Sequence, residues 1–406
     1  MVNVSRPRPV PASSSAGPSR VVDVVIVGAG IIGLAHAALA LANGLSVVLL
    51  ERDHRAVGAS VRNFGHCCIT AQSGELYDLA QVSRLHWLEY AARAGFTAIE
   101  SGAVVLARTE SELAVLRELS ALRGPGQVEL LTAAETRARL GSASSAASAG
   151  GEYGVGSWPG LLGGAFLRDD LRVDPRTTVD RLAAWLGAQP GVQLFWNTAA
   201  LGFGQDAAGA ATVSTSRGEF SARQVFVCVG HDVDYLFPDV AADHQIRRCS
   251  LQMSLASGPA GVQIAPAVLT ATSMLRYPAF TELPAAAALR AEVERTRPEL
   301  LEIGANVMFT QRPDGGLILG DSHHYGSAPG PFLSESVTET INAEIEAAMG
   351  QPLDIVERWQ GVYASSDVAP ILVRDVLPGV TVVSVTSGVG MTLSFGLAQR
   401  NLAHFC

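Results

Sequence analysis

One segment governs what this chain can become. Val21-Val22-Asp23-Val24-Val25-Ile26-Val27 runs directly into Gly28-Ala29-Gly30-Ile31-Ile32-Gly33. A β-branched, nearly all-apolar run of this length reads as a parallel strand buried on both faces. Beyond it, Ile31, Leu34, Ala35, Ala38, Leu39 and Ala42 recur at helical spacing until Asn43-Gly44 stops them. Ser46 to Leu50 is the next strand, and Glu51 closes it, 18 residues beyond Gly33. A bare G-x-G-x-x-G is a weak signal. Between a strand and a helix, with an acid ending the following strand, it becomes a dinucleotide-binding turn. Gly28 permits the tight turn, Gly30 lets the backbone approach a pyrophosphate, and Gly33 lets helix and strand pack closely. The helix N-terminus at Ile31 and Ile32 offers free N–H groups and partial positive charge. Glu51 can hold ribose hydroxyls.

The rest of the chain alternates in the same way at its end. Thr381–Val385 reads as a strand, followed by Gly388, Gly390 and an apolar helix from Met391. Between lie a helix over Glu75–Ala94, two capping-box patterns at Thr109–Glu112 and Thr132–Glu135, and an Asp174-Pro175 helix start. Strands are predicted near Gln193–Trp196, Ala211–Ser214, Val225–Val229, Ser250–Ser254, Ala305–Thr310 and Leu317–Leu319, with a helix near Ala285–Glu294. Residues 141–150 read as a flexible loop. The Pro-, Ser- and Arg-rich residues 1–20 read as a disordered tail, lacking the apolar stretch of a secretory signal. Two interleaved domains follow: a nucleotide-binding one from 21–100, 165–240 and 350–406, and a substrate-binding one from 101–164 and 241–349.

Composition narrows function. The 406 residues carry a net charge of −9 with no basic stripe, which argues against nucleic acid as a partner. No apolar run reaches the length of a membrane span. Cys67, Cys68, Cys228, Cys249 and Cys406 show neither a C-x-x-C pair nor zinc spacing, so reduced thiols, no metal and a cytoplasmic location are expected.

Gly58-Ala59-Ser60-Val61-Arg62-Asn63-Phe64-Gly65-His66, following Glu51-Arg52, resembles the flavin-wrapping loop of the D-amino-acid-oxidase and glycine-oxidase (DAO) superfamily. Four further segments are similar to that family in the same order. They are Gly191 to Leu201 with its tip near Ala200, Val225–Gly230 with Cys228, Trp359-Gly361-Tyr363, and Gly388-Val389-Gly390-Met391-Thr392-Leu393-Ser394. The resemblance spans Val21 to Ala403. It implies an α/β plus α+β fold, with a Rossmann-like FAD-binding domain of DAO type interleaved with a mixed-sheet substrate-binding domain. It also implies FAD, expected to be non-covalent because buried free thiols are the commoner case, with a tether through Cys67, Cys68 or His66 left open. The expected cofactor residues are Gly28, Gly30, Ile31, Ile32, Gly33, Glu51, Arg52, Ser60, Arg62, Asn63, Gly65, His66, Ala200, Cys228, Gly230, Trp359, Gly361, Gly388, Gly390, Met391 and Thr392.

Three strings, Ser60–Gly65, Leu275-Arg276-Tyr277-Pro278 and Gly320-Asp321-Ser322-His323-His324-Tyr325-Gly326, resemble a branch associated with phosphonate catabolism. That resemblance implies oxidative deamination of a small anionic amine related to 2-aminoethylphosphonate. The reaction would run by hydride transfer to flavin N5, with O2 or an electron carrier as acceptor. His66, Arg276, Tyr277, His323, His324, Tyr325 and Tyr363 are the substrate-side candidates, since a phosphonate needs several cationic or hydrogen-bonding partners. At most one of the adjacent His323 and His324 is expected to face the site. Arg62 and Arg276 have a plainer reading as salt-bridge residues, and Arg247-Arg248 as a solvated strand start. Oxidation of glycine, sarcosine or a hydroxy acid, an NAD-dependent dehydrogenase, a flavin-binding accessory subunit and a homodimer all stay open.

Overall fold

The computed structural model describes residues 21–141, 157–259 and 262–403. The expected tail and positions 142–150 of the expected loop lie outside these. Val22–Val27 sits mid-sheet, parallel to Val47–Leu50 on one side and to Gly218–Val227 on the other. Val192–Phe195 and Val380–Val385 extend the parallel set outward. Side-chain alternation explains the unbroken apolar run. Val24, Ile26 and Leu49 face a core shared with the helices Ile31–Ala42, Gly74–Ala94, Pro175–Gly187 and Gly390–Ala403. Val25, Val27 and Leu50 face a second core with Val213, Phe220 and Val233. Both sheet faces are covered, as a parallel sheet requires.

The second sheet has nine strands in mixed orientation. Arg247–Ala256 pairs antiparallel with Leu317–Gly320, His324–Gly326 and the eleven-residue strand Ile355–Ser365. The expected domain limits therefore shift in two places. Ile355–Ser365 and Gly163–Leu167 belong to this sheet by their hydrogen-bonded ladders, although both fall in or overlap segments assigned to the nucleotide-binding domain. Two other readings change as well. The Gly191–Leu201 segment is the strand Val192–Phe195, a turn, and the start of a new strand at Ala200. The strand expected over Ala305–Thr310 runs over Met308–Gln311.

Local signals explain the helix starts. Thr132 and Glu135 form the full reciprocal capping box. Thr109 caps its helix, but Glu112 turns to the Arg108 N–H instead. Asp174 caps the Pro175–Gly187 helix with proline in the first turn. The four described cysteines are buried and unpaired. Among the described residues, no helix is long and apolar enough to cross a membrane.

Candidate active site

A long cavity runs from the Gly28–Ile32 turn to the seam between the two sheets. At one end it is lined by Glu51, Arg52 and Ala200, and in the middle by Ser60, Arg62, Asn63, Cys228 and Gly230. Gly361, Gly388, Gly390 and Met391 line its inner part. The close packing around the turn needs glycine. A Cβ on Gly28, whose φ is +103°, would lie 2.5 Å from the Cys228 carbonyl oxygen. Gly30 brings no capping side chain to the Ile31–Ala42 helix, so beyond Ile31 the leading Ile32 N–H at the cavity wall meets no side-chain acceptor among the described residues. Ser60 Oγ accepts from the Ile31 N–H at 2.9 Å, tying the flavin-type loop to that turn. A glycine cradle, a helix start with a free N–H and a cavity joining them fit FAD. Gly28 to Ile32 and Gly230 would hold its phosphates and Gly361 to Met391 its ring end.

Glu51 does more than meet a ribose. Its buried carboxylate accepts from the Ala29 N–H at 2.8 Å and from the Asp53 N–H at 3.0 Å. Glu51→Ala is therefore expected to destabilise the flavin-free protein by about 2–4 kcal/mol, since two hydrogen bonds to a charged acceptor are lost. Urea unfolding of the apoprotein checks this. A residue serving only the ribose would leave that midpoint unchanged.

The inner end of the cavity is polar and bipolar in charge. Arg276 and Tyr277 stand between the short helices Ala271–Met274 and Pro278–Thr281. Pro278 excludes the helical conformation from Tyr277 and breaks the run there. Arg276 Nη2 donates to Tyr363 Oη at 2.8 Å, and Nη1 lies 3.4 Å from Tyr325 Oη. Burial disfavours the Arg276 charge, but Tyr363, Tyr325 and Asp321 outweigh it, so the guanidinium stays charged. Gly388 is tight against this group: a Cβ there would lie 3.0 Å from the Tyr363 ring. Tyr277 Oη lies 3.6 Å from Met308 Sδ. A second cavity, lined by Arg276, Tyr277, Tyr325, Tyr363 and Ser387, adjoins the first across these side chains.

The same lining holds a buried carboxylate, Asp321, that is not among the residues expected from the sequence. Asp321 is 4% exposed and lines the cavity. Its Oδ1 accepts from Asn306 Nδ2 at 3.1 Å, and Asn306 Oδ1 accepts from Ser273 Oγ at 2.7 Å. Burial raises the Asp321 pKa to about 7, although Arg276 and Asn306 pull it down. His323 also lines the cavity, and its Nδ1 donates to the Gly304 carbonyl at 2.9 Å. Burial first, then Arg276, holds its pKa well below the ordinary value. His323 is thus a neutral imidazole with Nε2 as an acceptor, not the half-protonated cation that a phosphonate would favour.

Several expected residues stand elsewhere. His324 opens the strand His324–Gly326, is exposed, and does not line the cavity. Tyr325 borders only the second cavity. His66 is buried in the small sheet His66–Cys67, Leu171–Val173 and Ala98–Ile99, with Nε2 2.8 Å from Asp170 Oδ2. It does not line the cavity. His66, Cys68 and Asp170 offer ligand atoms within 4.8 Å of one another. Asp170 nevertheless already accepts from the Ile69 and Thr70 N–H groups as well as His66, and burial pushes the Cys68 thiol up. Gly33 and Gly65 serve close packing behind the cavity wall. Thr392 Oγ1 accepts from the Cys68 N–H. Trp359 donates to the Arg62 carbonyl at 3.3 Å and lies under Arg176. Arg62 lines the cavity, but its guanidinium donates to the Val57 and Gln360 carbonyls, locking the loop to the second sheet. Arg248 is not solvated: it is buried and paired with Asp232 and Asp234.

Comparison with known proteins agrees with this geometry. The family model described as FAD-dependent oxidoreductase (DAO) matches residues 23–401. No curated protein matches the chain. Among solved structures, glycine oxidase from Geobacillus kaustophilus superposes with a TM-score of 0.71 at 19% identity, covering 94% of each chain. L-proline dehydrogenase from P. horikoshii gives a TM-score of 0.73 at 15% identity over 95% of this chain and 94% of the other. L-α-glycerophosphate oxidase from Mycoplasma pneumoniae, with FAD bound, gives 0.70 at 17% identity over 95% of both.

Proposed function

The chain belongs to the DAO family of FAD-dependent oxidoreductases, and we propose that it oxidises a small amine bearing an oxyanion, foremost an aminophosphonate of the 2-aminoethylphosphonate kind. One observation carries the reading: Arg276, backed by two tyrosine hydroxyls, and the buried Asp321 carboxyl line the same cavity and feel each other's charge. A cation with hydrogen-bonding neighbours suits an oxyanion, and the acid suits an ammonium. The choice of phosphonate is supported by the origin of these groups. Arg276, Tyr277, Asp321 and His323 come from two of the three strings that resemble the phosphonate-associated branch.

The protein's own residues bind and orient. Arg276 would hold the oxyanion, and its contact with Tyr363 fixes the guanidinium plane. Phe64, Leu251 and Val385 add apolar lining to the cavity, which would limit water beside a bound substrate. When bound, FAD supplies the two-electron acceptor for the C–H bond beside nitrogen, leaving an imine that water hydrolyses to an aldehyde and ammonia or methylamine. O2 would return the enzyme to its oxidised form.

A second reading, an amino acid such as glycine or sarcosine, is favoured by the single guanidinium, which matches one carboxylate. The fold does not choose between them. Solved neighbours carry names as different as glycine oxidase and glycerophosphate oxidase. The test is anaerobic bleaching of the oxidised-flavin absorbance by 2-aminoethylphosphonate, its N-methyl and 1-hydroxy relatives, glycine and sarcosine. Bleaching by the phosphonates alone is expected. Bleaching by glycine or sarcosine alone moves the substrate to amino acids, and no bleaching by any of them refutes an amine substrate.

A further inference from the structure

Removing hydride from the carbon beside nitrogen needs the nitrogen lone pair, yet a small amine at neutral pH is almost wholly an ammonium. Some group must take that proton, and the sequence reading assigned none. Asp321 Oδ1 is occupied by Asn306, and the Asn306 and Asp321 main chains exchange two hydrogen bonds of 2.8 Å, so the carboxyl is fixed in orientation. Its Oδ2 lies 3.8 Å from His323 Nε2, outside hydrogen-bond distance, and no other described side chain donates to it. A second polar atom in the chamber is therefore left with capacity for a ligand. The neighbouring titratable groups do not compete. Arg276 is a fixed cation, His323 is held neutral, and burial keeps the Tyr277, Tyr363 and Cys249 protons on at neutral pH.

We infer that Asp321 Oδ2 accepts the ammonium proton of the bound substrate, an inference that rests on the amine-oxidation reading above. The N–H bond of the ammonium breaks, nitrogen keeps the electron pair, and an O–H bond forms on Asp321. The substrate becomes a neutral amine and no electron leaves the pair. With the anion on Arg276 and the nitrogen on Asp321, a zwitterion spans the chamber. An Asp carboxyl near its ordinary pKa would lie about six units below an alkylamine. Burial lifts it to about 7 and narrows that gap to about three units.

The test is Asp321→Asn, which keeps size and the Asn306 contact side, in the flavin-loaded full chain with 2-aminoethylphosphonate. In the unmodified protein kcat/KM should rise with pH and level off above about 7, the free carboxyl's value. In Asp321→Asn it should be about 10³-fold lower at neutral pH, the fraction of amine that is neutral there. It should then keep rising tenfold per pH unit toward the amine's own pKa, about 10, because only neutral amine is competent. Infrared difference spectra over the same pH range give a readout free of turnover. A carboxylic C=O band should vanish with a midpoint near 7, and Asp321→Asn should lack it. A variant with an unchanged pH profile, or a parent without that band, overturns the inference while leaving amine oxidation standing. Failure of every amine to bleach the unmodified protein overturns both.

Discussion

Arg276→Ala is expected to raise the KM for the substrate by about 10²–10³-fold while leaving flavin content unchanged. Of the three arginines lining the cavity, Arg52 pairs with Asp232 and Arg62 with the Val57 and Gln360 carbonyls, whereas Arg276 is held by tyrosine hydroxyls and meets no carboxylate within 4 Å among the described residues. Truncating one partner of a buried charged contact costs about 3–4 kcal/mol, and each 1.4 kcal/mol is tenfold. FAD should bind normally, because the residues fitted to its phosphates, Gly28 to Ile32 and Gly230, lie at the other end. A second consequence follows from charge. Arg276 lowers the Asp321 pKa against burial, so its removal should move the acid limb of the pH profile upward. Arg276→Lys keeps the charge but loses the two-pronged contact with Tyr325 and Tyr363, so its KM should fall between the two. Steady-state kinetics across pH, with flavin measured by absorbance after denaturation, checks all three. An unchanged KM would make Arg276 a packing residue of the tyrosine pair.

The contrast between the two ends of the cavity also shows what a sequence displays. The turn from Val27 to Gly33 was legible because each of its constraints is local. A strand buried on both faces must be apolar throughout, and Gly28 and Gly33 answer contacts within a few residues or with the end of one adjacent strand. Ile355–Ser365 was not legible as a strand of the second sheet. It carries Glu357, Arg358 and Gln360 among Val356, Trp359 and Val362, and most of it is only partly buried, so no clean alternation marks it. Its place is set by Arg247–Ala256, more than a hundred residues earlier. Asp321 stands in the segment Gly320–Gly326, where its histidine neighbours carry the more evident chemistry. Its chemistry comes from burial beside Asn306 and from a cation on another segment, neither of which composition records. His66 failed in the opposite direction. Its position beside the flavin-type loop suggests a ring contact, but its strand turns it toward Asp170, which offers a hydrogen-bond acceptor in the core.

Gly33→Ala should abolish stoichiometric flavin binding, with a loss of about 1–3 kcal/mol or more in stability from overpacking. An added Cβ would lie 1.9 Å from the Gly28 carbonyl oxygen, 3.1 Å from its carbon and 3.2 Å from Ile26 Cγ2. The first two are backbone atoms of the turn itself, so no rotamer change relieves them. The Ile31–Ala42 helix would have to lift from the Val22–Val27 strand, carrying the N–H groups of Ile31 and Ile32 away from the cavity wall. Gly30→Ala makes a sharp control. Its Cβ meets only Ser60 Oγ, at 3.2 Å, and that hydroxyl is a side-chain atom that can rotate at the cost of its hydrogen bond to the Ile31 N–H. The protein should therefore tolerate alanine at position 30 better than at 33, although position 30 is the nearer to the ligand. Flavin content and denaturant midpoint measured side by side decide it. A yellow, fully loaded Gly33→Ala protein with the parent midpoint would mean that the turn can relax, and the tight helix–strand approach would then not be what shapes the phosphate end of the site.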